Sequence, residues 1–140
     1  MPDREMNRVQ RRLWQAFVES GADAGAQSEL QRLRRVIDDQ LRVMPPALRY
    51  IMEMVLASAD EPDYPRLVDH IQRDERVRIS IGAVRQRVSR GIRMLEHAVR
   101  ATRWSSGPPT LPLRRAGEKR TPGPLEVTAI VFQDLAQRER

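Results

Sequence analysis

The sequence predicts an all-α protein: a small helical bundle followed by a Pro-rich C-terminal tail. Three observations carry that prediction. Apolar residues recur at helical spacing in successive segments as far as Trp104. Aromatic residues make up only 4% of the chain, against 40% hydrophobic and 31% charged, which suits amphipathic helices and argues against a large β-sandwich. Proline then gathers at Pro108, Pro109, Pro112, Pro122 and Pro124, where no helix can run through. With 140 residues, there is one modest core to build.

The first helix is expected from Asp3 to about Ser20, where Met6, Val9, Leu13, Phe17 and Val18 share a face and Arg8, Arg11 and Arg12 lie on others. Trp14 and Phe17 are expected to cover the bundle. After a Gly- and Ala-rich loop, Ser28 is the expected N-cap of a second helix carrying Leu30, Leu33, Ile37, Leu41 and Met44, which ends before Pro45. Pro46 suits the first turn of a third helix with Leu48, Ile51, Met52, Val55 and Leu56 inward. The stretch from Ala59 to Pro65 breaks it. A short fourth helix buries Leu67, Val68 and Ile71, and Gln72 to Ile79 is too polar to assign. Ser80 then caps a fifth helix in which Ile81, Val84, Val88, Ile92, Leu95 and Val99 fall within roughly 40° of one line.

The chain thus divides into residues 1–27, an N-terminal amphipathic helix and loop; 28–104, a helical domain; and 105–140, a flexible Pro-rich linker with room for one short helix. In that last stretch Val127, Val131 and Leu135 are spaced four apart. Such a tail adds few buried contacts, so deleting Ser105 to Arg140 is expected to leave the core folded.

Charge narrows the partners. Twenty-five basic residues against 19 acidic ones give a net charge of +6, and all but Lys119 of the basic ones are arginine, whose planar fork suits phosphate and guanine. The absence of cysteine excludes disulfides and thiolate chemistry. His70 and His97 lie on different helices without metal-ligand spacing, and Asp60, Glu61 and Asp63 lack the glycine and distal glutamate of a calcium loop. With neither a phosphate-binding loop nor a nucleophile elbow, no catalysis, cofactor or metal is expected. Met1 to Glu5 lacks the apolar core of a signal peptide and no stretch is long enough for a membrane span, so a cytoplasmic, nucleoid-associated protein is expected.

The fifth helix sorts by face. Opposite Val88 lie Gly82, Ala83, Gln86, Ser89, Arg90, Arg93 and His97, with Arg85 and Arg87 on the flanks. Small residues first and arginines later suit a helix entering the DNA major groove by its N-terminus. A solvated face on an ordinary amphipathic helix is the alternative.

The run Ile79-Ser80-Ile81-Gly82-Ala83-Val84-Arg85-Gln86-Arg87-Val88-Ser89-Arg90-Gly91, continued by Arg93 and Leu95, resembles the recognition helix of region 4 in bacterial sigma factors, particularly the extracytoplasmic-function group. Upstream, Leu41-Arg42-Val43-Met44-Pro45-Pro46-Ala47-Leu48-Arg49 is similar to the Leu-Pro-Pro-x-x-Arg run that opens region 4. The resemblance spans roughly Asp39 to Arg103. It implies a helix-turn-helix, with the helix over residues 80–101 reading a −35 promoter element and the domain docking on the β flap of RNA polymerase. It also implies roles: Ser80 as N-cap and phosphate contact, Ala83, Arg85, Gln86 and Arg87 nearest the bases, and Arg90 and Arg93 on the DNA backbone. Val84, Val88 and Leu95 would be core, with Leu67, Val68 and Ile71 on the supporting helix.

Three features depart from the family. Gln72 to Ile79 holds several residues more than its tight Leu-Gly turn, and Ala83 stands where threonine is typical. The promoter-melting region 2 has no counterpart, because the first forty residues are too short for it and the chain has two Trp, two Tyr and two Phe in all. A second sigma-like subunit or a homodimer is therefore an expected partner, through the first two helices. The other function to weigh is a protein-interaction module that binds RNA polymerase or a sigma factor without reading DNA.

Overall fold

The structure, a computed structural model, describes residues 6–58, 60–104 and 127–132. Those residues form helices and no strands: α1 (Arg8–Glu19), α2 (Gln27–Val43), α3 (Pro46–Ala57), α4 (Tyr64–Glu75), α5 (Ile81–Ala101) and a π-helical turn, Thr128–Phe132. The all-α expectation holds.

Helix α1 starts later than its periodicity implied, because Asn7 caps it. The Asn7 side chain accepts from the Gln10 amide at 2.8 Å while the Gln10 side chain accepts from the Asn7 amide at 2.9 Å, a reciprocal capping box. Both side-chain amides then reach across to the end of α3: Asn7 donates to the carbonyls of Val55 and Ser58, each at 2.9 Å, and Gln10 to that of Leu56 at 2.6 Å. Two polar side chains, buried to 1% and 0% exposure, thereby satisfy orphan carbonyls at a helix C-terminus.

Helix α2 begins at Gln27 with Ala26 as its N-cap, so Ser28 lies inside the helix rather than capping it. Glu29 supplies negative charge to that first turn, and its carboxylate accepts from the Asp23 amide at 3.4 Å. The helix gives way at Met44, which is extended as its position before Pro45 requires, and Pro46 opens α3. Asp63 and Ser80 cap α4 and α5, accepting from Arg66 and Ala83 at 3.2 and 3.0 Å.

Helix α5 is the axis of the bundle: α1, α2, α3 and α4 all pack against it. Val84, Val88, Ile92, Leu95 and Val99 are buried as their spacing predicts, but Ile81, in the first turn, is 42% exposed. Leu67 and Ile71 of α4 are buried, Val68 half-buried. Phe17 of α1 lies between Trp14, at 5.2 Å, and Trp104, edge-on at 4.9 Å, while the Trp104 indole donates to the Val99 carbonyl.

The C-terminal expectation needs correction. Val127, Val131 and Phe132 have no exposed surface and join the same core, with the π-helical turn packed on α2. Arg34 of α2 fastens it by donating to the Ile130 carbonyl at 3.2 Å. The segment therefore contributes core contacts that its proline-rich surroundings did not advertise. Leu135 and the linker prolines lie outside the described residues.

Candidate nucleic-acid interface

A solvent-facing groove of about 580 Å3 runs between α1 and α5, lined by Arg12, Arg85, Gln86, Ser89, Arg90 and Arg93. Five of the six come from α5. Its sequence puts them there, since residues at i, i+3, i+4, i+7 and i+8 share a helical face and Arg85, Ser89 and Arg93 continue one row beside Gln86 and Arg90. Burial of the opposite stripe on the other helices turns this face outward.

Of the predicted site residues, Arg85, Gln86, Arg90 and Arg93 come together in the groove, all exposed. Ser80 serves the helix N-terminus, and Ala83 and Arg87 are half-buried outside the groove lining. The separation of Arg85 from Arg87 is geometric: two residues apart at 100° each, they occupy opposite flanks of α5 about 160° apart. The groove opens on the Arg85 flank, toward α1. Arg90 and Arg93 form a ridge, because they also line a second shallow depression of about 350 Å3 with Gln40, Met94 and His97.

Two contributors were not identified from sequence. Arg12 enters from α1, and Tyr64, at the start of α4, carries the Arg85 guanidinium over its ring at 5.1 Å and that of Arg8 at 5.9 Å. The Arg8 guanidinium also contacts the Tyr64 hydroxyl. The arginines of α1 were visible in the sequence, but nothing local sets their register against α5.

Electrostatics separates the α5 arginines of the groove from the ion pairs of α1 beside them. Arg12 is bound through Nε and Nη2 to the Glu96 carboxylate at 3.2 and 2.9 Å, and Arg100 bridges Glu19 at 2.9 Å and Glu96 at 3.5 Å. The hydrogen bond from Arg100, helped by one from Gln15, holds the Glu19 carboxyl below its usual range, and Glu19 in turn raises the Arg100 guanidinium. Arg85, Arg90 and Arg93 have no carboxylate within 4.0 Å among the described residues. Three uncompensated guanidinium groups with an amide and a hydroxyl offer donors to phosphate oxygens and base edges.

A separate pocket of about 460 Å3 lies between α3 and α4, where Asp60, Glu61, Asp63, Arg66 and His70 surround apolar Met54 and Leu67. Among the described residues, no group of three or more His, Cys, Asp or Glu side chains is placed to hold a metal ion, and no helix is long and apolar enough to cross a membrane. Comparison with known protein families, with curated proteins and with solved structures finds no match.

Proposed function

We propose that this protein is a DNA-binding transcription regulator of the sigma-region-4 kind, using α4 and α5 as a helix-turn-helix. In this reading α5 enters the major groove of a −35-like promoter element, and the domain contacts the RNA polymerase β flap or a partner sigma subunit. One observation carries the reading: Arg85, Gln86, Ser89, Arg90 and Arg93 stand exposed on one face of a capped helix, the arginines with no carboxylate within 4.0 Å among the described residues. Gln86 and Arg85 are the base-edge readers, and Arg90 and Arg93 meet phosphates.

A salt-titrated gel shift against a promoter library tests it. Arg85→Ala combined with Arg90→Ala is expected to weaken binding and to flatten the slope of log affinity against log salt by about 0.9, since of the two only Arg90 neutralises a phosphate and each phosphate contributes about that much. Unchanged affinity and slope would sink direct DNA reading. Capture of RNA polymerase core by the tagged full chain tests the partner.

The connection between the helices favours a second reading. Residues 76–80 separate α4 from α5, with Arg76 in the left-handed region at φ 57°, and helix-turn-helix motifs use about three or four residues here. As a protein-interaction module, the chain would capture polymerase or a sigma factor and show no salt-dependent affinity for DNA.

A further inference from the structure

We infer that α1 is the second wall of the nucleic-acid site, with Arg12 a ligand for a backbone phosphate. The inference rests on the DNA reading of α5 and assigns to α1 a role in that site rather than in partner docking. Among the described residues, Arg12 is the one groove-lining residue that α5 does not supply. Its side chain is 50% exposed, yet its guanidinium is fixed, because Nε and Nη2 both donate to Glu96. Glu96 itself is only 19% exposed and does not line the groove, so it grips Arg12 from behind. Nη1 is left for an oxygen in the groove. An arginine already held in one rotamer loses little freedom when it takes up a phosphate.

A second observation extends the wall. Arg8 lies one turn before Arg12 on the same side of α1, and its guanidinium shares the Tyr64 ring with that of Arg85. Two distances to one ring centroid put the Arg8 and Arg85 head groups no more than 11 Å apart. The aromatic ring thus gathers cations from α1 and α5 along one edge of the groove.

Binding of the full chain to a mixed-sequence DNA duplex, titrated with salt, tests the assignment. Arg12→Gln is expected to weaken binding several-fold and lower the salt slope by about 0.9, and Arg12→Lys to restore the slope by restoring the charge. Arg100→Gln, which breaks the same Glu96 network outside the groove, is expected to leave the slope unchanged. A normal slope for Arg12→Gln beside a reduced one for Arg90→Gln overturns the role of α1 and leaves α5 as the reader. Equal losses for Arg12→Gln and Arg100→Gln also overturn it, since net charge alone would then account for both. No binding by the unaltered chain overturns the DNA reading itself. Circular dichroism melting of each variant separates loss of fold from loss of contact.

Discussion

At Gly91 the backbone of α5 comes so close to α3 that a side chain has no place. A Cβ there would lie 2.4 Å from Sδ and 2.5 Å from Cγ of Met52, which is itself fully buried. Alanine in mid-helix normally gains about 1 kcal/mol over glycine. Here it must displace a packed thioether, and overpacking costs about 1 to 3 kcal/mol. Gly91→Ala should therefore lower the melting temperature despite its better helix propensity. Adding Met52→Val should recover part of the loss, because the two positions are in contact and their effects are coupled. A melting temperature raised by Gly91→Ala alone would show that Met52 moves aside freely. Arg76 is the complementary case: at φ 57° it occupies a conformation that costs a non-glycine residue about 1 to 2 kcal/mol, part of which Gly would recover. Arg76→Gly should accordingly raise the melting temperature slightly.

Between elements, α1 is tied to the C-terminal half of α5 by Arg12, Glu96, Arg100 and Glu19. Because the folded Glu19 carboxyl is held below its ordinary value of 4.5, its contribution is present above that pH and is lost as pH falls through the lowered folded value. Glu19→Gln should thus melt below the unaltered chain near neutrality and converge with it in acid. Both partners face solvent, so added salt should shrink the difference. A gap that persists in acid would assign the effect of Glu19 to something other than its charge. The elements themselves were largely legible, since α5 announces its buried line in Val84, Val88, Ile92, Leu95 and Val99 and its start in Ser80. Ile81, in the first turn of α5, escapes that line and stands exposed. The charged run from Gln72 gave no periodic signal, yet α4 continues to Glu75, and this absorbs into helix most of the extra length between Ile71 and Ser80. Four of the six groove-lining residues were equally legible, since Arg85, Gln86, Arg90 and Arg93 share one helix and one face. Arg12 and Tyr64 join them only through packing of α1 and α4 on α5, and local sequence does not encode that register.

For the molecule as a whole, the decisive contact not visible in the sequence is the return of the chain to α2. Val127, Val131 and Phe132 are each fully buried, and burying such a side chain is worth about 1.5 to 3 kcal/mol. Together they contribute about 4.5 to 9 kcal/mol, against a total stability of about 5 to 15 kcal/mol for a domain of this kind. Removing residues 105–140 should therefore cause a large fall in melting temperature or abolish the cooperative transition, the reverse of what a proline-rich tail implies. Phe132→Ala in the full chain isolates one of the three contributions without shortening the polymer, and a cost of about 3 to 5 kcal/mol is expected. Chemical denaturation checks both, and an unchanged midpoint for the truncated chain would show that the segment does not pack in solution. Groove and π-helical turn use different surfaces, because among the described residues none that lines the groove belongs to α2 or to that turn. Below its melting temperature Phe132→Ala should therefore keep the salt slope for DNA that Arg85→Ala with Arg90→Ala loses. If instead Phe132→Ala lost the slope while remaining folded, the position of α2 would have to govern the presentation of α5, and the bundle would transmit the state of its C-terminal segment to the interface.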